Sequence, residues 1–404
     1  MINAGDTAWV AASTALVLFM TLPGLAMFYG GLVRTRNVLS VFMQCFALAS
    51  AVSILWYAAG YSLAFSGGGP FIGDFELAGF SGVVRDSVTG SIPTSLFSLY
   101  QMTFAIITPA LIVGGFAERV RFGAMLVFSL LWTMVVYVPV AHWVWGGGWL
   151  SQYGVYDFAG GIVVHITAGI ASLVSALLIG PRKGFGSSAI LPHNTTMVLA
   201  GAGMLWVGWF GFNGGSALAA NGQAAMAMLV THLSAAAGAA IWAGIEWIKF
   251  GKPSAVGIAT GMVAGLGTIT PASGFVGPSG AIAIGMMAGA ICFYATYTIK
   301  QVLKIDDSLD VFPVHGVGGI LGSLAVGVFC APALGGAGFA SGIQGITAQL
   351  QSQAIGVAAT IAYTAGGTWI IWKLIGAILP IRVSTEVENN GLDEALHGEP
   401  GYNM

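Results

Sequence analysis

Eleven runs of mostly apolar residues, most of them close to the length of a membrane-crossing helix, divide this 404-residue chain. A helix needs about 20 apolar residues to cross the hydrocarbon layer of a bilayer. Backbone in that layer finds no water to bond, so a lipid-exposed segment must be a helix or part of a closed barrel. The runs lie near 8–33, 38–65, 95–117, 122–144, 158–180, 195–213, 224–248, 255–270, 278–301, 311–330 and 350–379. Runs of this length predict helices, and the expected fold class is an all-α polytopic membrane protein with eleven transmembrane helices. Composition agrees: 56% of residues are hydrophobic and 7% charged, against roughly 25% charged in a soluble domain. The eighth run is short and Gly-rich, and 67–94 and 331–349 are Gly- and Ser-rich connections, read as loops or partly buried re-entrant pieces.

The basic residues set the expected orientation. Arg34 and Arg36 follow the first run, Arg119 and Arg121 the third, Arg182 and Lys183 the fifth, Lys249 and Lys252 the seventh, Lys300 and Lys304 the ninth, and Lys373 and Arg382 close the eleventh. Every connection after an odd-numbered run is therefore basic, which predicts an N-terminus outside and a C-terminus in the cytoplasm of the inner (plasma) membrane. Residues 1–33 lack a basic leader and a small-residue cleavage site, so they are expected to belong to the mature protein. The net charge of −2 gives no basic footprint for nucleic acid. Cys45, Cys292 and Cys330 are scattered through apolar stretches and read as small buried hydrophobes, with no metal spacing.

Two histidines sit deep in long apolar segments: His165 in DFAGGIVVHITAGIASL and His315 in DVFPVHGVGGILGSL. An ionisable group at membrane depth is normally tolerated only where it faces the protein interior. The segments also resemble each other, since Gly169 and Ile170 stand where Gly319 and Ile320 do, counted from each histidine. FYGG from Phe28 and FNGG from Phe212 pair the first and sixth runs in the same way. The pattern predicts an inverted repeat of helices 1–5 and 6–10 with an added eleventh, and a substrate path near the midplane between the repeats. A neutral imidazole offers one donor and one acceptor there, although two buried histidines bonded to backbone would look the same in sequence.

The stretch DFAGG from Asp157, with Val163, Val164 and His165, closely resembles the signature of the ammonium transporter (Amt/MEP/Rh) family, on its bacterial Amt branch. PGLAMFYGGLVR, GGFAERVRF, AHWVWGGGWL, GWFGFNGGSA, DDSLDVFPVHGVGGILG and the tail GLDEALHGEPGYN extend the resemblance over nearly the whole chain, in the expected order. The resemblance implies an outer ammonium-binding site at Phe104, Trp145 and Ser216. It also implies a hydrophobic gate of stacked Phe104 and Phe212, and a twin-histidine proton relay in the pore at His165 and His315. Asp157 and Tyr137 become structural residues of the vestibule. On sequence alone Asp157 reads equally as an N-cap of the fifth helix, and Asp310 as the cap of the tenth. Family members more often carry Phe than Tyr at the position of Tyr100.

The implied function is an ammonium transporter, not an enzyme, that deprotonates ammonium and conducts ammonia with or without the proton. Methylammonium is a further expected substrate, and no cofactor or metal is expected. An electroneutral gas channel and an ammonium sensor signalling through a separate partner are the alternatives. A membrane redox protein with both histidines on haem iron is a third class, which the motif context makes unnecessary. His142, His193, His232 and His397 read as structural or surface groups. Residues 1–381 form the expected membrane domain and 382–404 a cytoplasmic C-terminal regulatory tail, which composition alone would leave solvated. The resemblance further implies a homotrimer in the lipid bilayer and a PII-type signal protein as partner at the cytoplasmic face.

Overall fold

The computed structural model describes residues 1–402 and is mostly helical. Ten helical segments among the described residues are long and apolar enough to cross a membrane: Ala4–Leu32, Thr35–Phe65, Thr94–Phe116, Phe122–Gln152, Gly161–Ile179, Thr195–Gly214, Gly222–Phe250, Pro278–Val302, Phe312–Phe329 and Gly345–Ile378. The shorter apolar helix Ala255–Ile269 stands eighth in order and completes the eleven. The protein is a multi-pass membrane protein. The fourth span reaches further than its apolar run because a separate short helix, Trp149–Gln152, follows the end of Val138–Val144. The connection after the second span carries the small hairpin Val88–Thr89 with Ile92–Pro93, and its side of the molecule is called the hairpin face here. The opposite end, where the C-terminal tail packs, is the tail face.

Among the described residues wide π turns lie in seven of the spans, and four of them fall where the repeat predicts equivalence. Met20–Leu25 and Phe210–Gly214 break the first and sixth spans, while Gly161–Ile166 and Phe312–Gly316 open the fifth and tenth. Proline contributes at Pro23 and Pro313, since a residue without an N–H, whose ring crowds the preceding turn, fits a widened turn better than a regular one. Each π segment of the fifth and tenth spans packs against the helix that continues the other, a reciprocal contact that fits the inverted repeat. Their close approach requires Gly169, where a β-carbon would run into the backbone of Gly316. Small residues do the same work elsewhere: Ser234 and Gly238 of the seventh span meet Gly261 and Gly265 of the eighth. In lipid, where burying apolar surface gains little, such close backbone packing is what holds helices together.

The tail face is held by buried charge. Glu118, after the third span, pairs with Arg34 at 2.9 Å and Arg182 at 2.6 Å, and Arg182 continues to Asp306 at 2.7 Å. The Arg119 guanidinium is fully buried and donates to Asp306 O at 2.7 Å and Gly180 O at 2.9 Å. Burial would raise Glu118 and Asp306, but the adjacent guanidiniums of Arg182 with Arg34 or Arg119 leave both below the ordinary carboxylate value. The connections after spans 1, 3, 5 and 9 are thereby tied into one cluster.

The tail departs from the solvated end that composition suggests. Its helices Thr385–Asn390 and Leu392–His397 lie against the membrane domain, with Glu388, Leu392 and Asp393 buried. Asp393 accepts from Leu39 N at 3.0 Å and Ser40 N at 2.8 Å, and so caps the second span. Glu388 accepts from Arg382 and from Lys183 N. Each of these bonds satisfies a buried polar group that the apolar runs cannot reveal.

Candidate functional site

On the hairpin face a cavity of about 270 Å³ opens between the third, fourth and sixth spans. Its wall includes Phe97, Gln101, Phe104, Trp145, Phe158 and Ser216. Trp145 is half-buried with its indole N–H donating to Asp157 O at 2.9 Å. Its ring meets Phe104 edge-on, with centroids 5.7 Å apart. Aromatic faces attract a cation by about 0.5–2 kcal/mol, more as water is excluded. Phe104, Trp145 and Ser216, which the family resemblance implies together, do share this wall. Gln101 was not singled out, and nothing in its local sequence distinguishes it from any polar residue one helical turn from a core position.

Ser216 is aimed by an unexpected neighbour. Tyr100 is buried with its hydroxyl 2.9 Å from both Gly211 O and Phe212 O and 3.2 Å from Ser216 Oγ. Ser216 Oγ in turn donates to Phe212 O at 2.8 Å. With each hydroxyl proton directed at backbone carbonyls, the Ser216 oxygen keeps lone pairs free as an acceptor. Tyr100 therefore braces the end of the sixth span, a task that phenylalanine at this position could not perform.

Below the cavity the Phe104 and Phe212 rings close together, with centroids 4.4 Å apart and planes tilted at 41° rather than stacked parallel. Beneath them is a pocket of only about 10 Å³ lined by Phe212, Trp209, His165 and His315, room for about one water-sized molecule. The histidine rings lie nearly parallel, at 22°, with Nδ1 of each 3.2 Å from the other. One ring must donate to the other. The ring that donates from Nδ1 leaves its Nε2 bare, whereas the accepting ring carries its proton on Nε2, so the pair presents one donor and one acceptor. His165 Nε2 is buried without a partner among the described residues. A further cavity of about 30 Å³ continues from His315 toward Tyr29, Thr260 and Asp310 at the tail face.

Asp157 holds the upper part of this arrangement. Its carboxylate accepts four backbone N–H groups, from Gly160 and Gly161 on Oδ1 and from Ile162 and Val163 on Oδ2, at 2.6–3.0 Å. Those are the free donors that begin the fifth span, and Gly160 reaches its φ of +116° without a side-chain clash. The same residue thus caps the helix that carries His165 and, through its carbonyl, fixes Trp145. Tyr137 lies off the cavity wall, buried against Trp56 with centroids 6.4 Å apart. Asp310 does not cap the tenth span by its side chain: Phe312 N donates to Asp307 Oδ2 at 2.6 Å, and Asp310 pairs with Lys300 at 2.8 Å. A positive φ of 61° turns Asp310 away from the helix end.

The model of the Ammonium Transporter Family matches residues 8–402. The ammonium transporter of Bacillus subtilis (strain 168) is 46% identical over 400 residues, covering 98% of each chain. That of Aquifex aeolicus (strain VF5) is 45% identical over 410 residues, 100% of this chain and 94% of the relative. Among solved structures, Saccharomyces cerevisiae Mep2 superposes with a TM-score of 0.87 at 38% identity, over 95% of this chain and 88% of that one. A sensor Amt protein superposes with a TM-score of 0.91 at 28% identity, over 97% and 98%.

Proposed function

The chain belongs to the ammonium transporter family, and on that premise we propose that it draws ammonium into the hairpin-face cavity, parts it from a proton at the Phe104–Phe212 gate, and passes ammonia along His165 and His315. The observation that carries this reading is an unbroken row of rings. Trp145, Phe104, Phe212, His165 and His315 follow one another with centroid separations of 5.7, 4.4, 6.0 and 5.2 Å. The row grades from a surface that favours a cation to a closure that excludes a hydrated one, and then to a polar pair sized for a single small solute. Ammonium can cross such a series by giving up a proton, and the shared hydrogen bond of the imidazoles offers that proton a route. Potassium has no proton to release. A net current and an electroneutral passage of ammonia use the same residues.

Transport is favoured over sensing by the higher identity to transporters than to the sensor Amt protein. The basic connections support an orientation with the hairpin face outside and the tail in the cytoplasm. There the docked tail, whose helices reach the start of the second span and the connection after the fifth, is the surface proposed to meet a PII-type protein. Assembly into a homotrimer is supported by His232, an exposed imidazole about 15 Å along the seventh helix. A polar group at that depth calls for protein cover. Uptake of labelled methylammonium into liposomes holding the purified protein tests the site. Ser216→Ala is expected to raise KM several-fold, losing an acceptor worth about 1 kcal/mol or more. Unchanged KM in this variant would remove the hairpin-face cavity from the path.

A further inference from the structure

His142 stands outside the row of rings, yet its surroundings demand a particular number of protons. The residue is buried, with Nδ1 3.0 Å from Ala64 O and Nε2 2.8 Å from Gly69 O. A carbonyl oxygen only accepts, and a neutral imidazole has a single N–H. A neutral ring would therefore set one bare lone pair against a carbonyl oxygen at bonding distance. A second proton turns that repulsion into a charge-assisted hydrogen bond. His142 also lies in the last turn of the helix Val138–Val144, where the free carbonyl ends favour a cation.

The elements around the ring carry Tyr61, Asp74 and Tyr137, with Asp157 and His165 on the adjoining fifth segment. None forms an ion pair with His142 among the described residues. Two carbonyl dipoles and the helix end thus supply the negative potential. The same two elements are joined again by Trp143 Nε1 donating to Phe71 O at 2.8 Å and by Trp149 N donating to Pro70 O at 3.0 Å. Between these contacts lies Trp145, whose backbone N–H donates to Ala141 O and whose indole reaches Asp157.

We propose that His142 is a doubly protonated clamp: an imidazolium that seats the end of the second span and the connection after it against the end of the fourth, and so positions Trp145 for cation recruitment. Its role as a positioning residue rests on reading the hairpin-face cavity as the recruitment site; its proton count does not. A ring with a single proton would leave a carbonyl facing a lone pair and loosen the seat.

The test uses the full chain with 15N-labelled histidine, the protons on the ring nitrogens being read at the pH of the transport assay. His142→Gln identifies the signals. The His142 ring is expected to carry protons on both nitrogens. The KM for ammonium is expected to be about three- to tenfold higher in His142→Gln, with the maximal rate unchanged. A ring with one bare nitrogen overturns the clamp, and an unchanged KM in His142→Gln beside a doubly protonated ring overturns its positioning role. Should His142→Gln fail to fold, hydrogen exchange of the Trp149 amide in the unaltered protein serves instead. It must be slower than at an exposed loop amide, and equal exchange counts against the proposal. A protein that transports nothing but retains the doubly protonated ring would sink the transport reading and leave the clamp in place.

Discussion

Tyr100 shows how one hydroxyl can set the chemistry of a neighbour. Its contacts to Gly211 O, Phe212 O and Ser216 Oγ hold the backbone that carries both the lower gate ring and the serine acceptor. Tyr100→Phe is expected to fold, because the ring stays buried against Phe104 with its 5.0 Å edge contact, but to leave those carbonyls short of a donor. The expected outcome is a stability loss of about 1–2 kcal/mol and a KM raised two- to fivefold, measured by thermal unfolding and methylammonium uptake. Individual side chains were legible unevenly in the sequence. The histidines stood out because a polar group in an apolar run is conspicuous. Gln101 did not, and the Tyr100 bonds could not, since their partners are more than a hundred positions away and two of the three are backbone atoms. His142 looked ordinary for a like reason, as its carbonyl partners, Ala64 at the end of the second span and Gly69 beyond it, lie more than seventy positions away.

At the scale of elements the widened turns matter most. His165, His315, Phe212 and Tyr137 all lie in π segments, which shift the angular register of the side chains that follow and are common at functional sites. Apolar run length predicted where the spans fall, yet period alone gave no sign of these turns. The start of the fifth span is the most exposed weakness of the arrangement. Asp157→Ala leaves four buried N–H groups without an acceptor and releases the geometry around Trp145. A loss of about 3–5 kcal/mol is expected, seen as a lowered unfolding midpoint in detergent, while Asp157→Asn, which keeps one acceptor oxygen, is expected to lose less. Equal stability of Asp157→Ala and the unaltered protein would contradict the capping role. At the tenth span the sequence pointed to Asp310 and the structure uses Asp307, because the backbone turn at Asp310 moves the cap three residues upstream.

Across the whole molecule, eleven helices and their order were readable from apolar runs and basic connections, because the bilayer leaves the backbone few choices. The tail-face cluster was not, since Glu118, Arg182, Asp306 and Glu388 meet only after the chain has crossed the membrane several times. This cluster makes stability depend on pH in two opposing ways. Glu118 and Asp306 are held below their unfolded values, so their contribution is present above the ordinary carboxylate range and is lost as pH falls through their still lower folded values. Asp307 behaves oppositely: burial, aided by Asp310, pushes it from 3.8 up to about 6. The folded protein then binds the extra proton between those values, and its stability contribution declines as pH rises through that window. Thermal midpoints recorded against pH are expected to show this decline in the unaltered protein and to lose it in Asp307→Asn, while the fall at lower pH persists in both. A decline of equal size in Asp307→Asn would assign it to another group.

The central claim is that ammonium passes by way of His165 and His315, and charge movement on ammonium pulses tests it most directly. Purified protein in liposomes would be given ammonium and potassium pulses, alongside a His165→Ala, His315→Ala double variant. The account predicts a sustained response to ammonium, little or none to potassium, and in the double variant either loss of the current or loss of its discrimination against potassium. A double variant that still carries an ammonium-selective current of full size would contradict it.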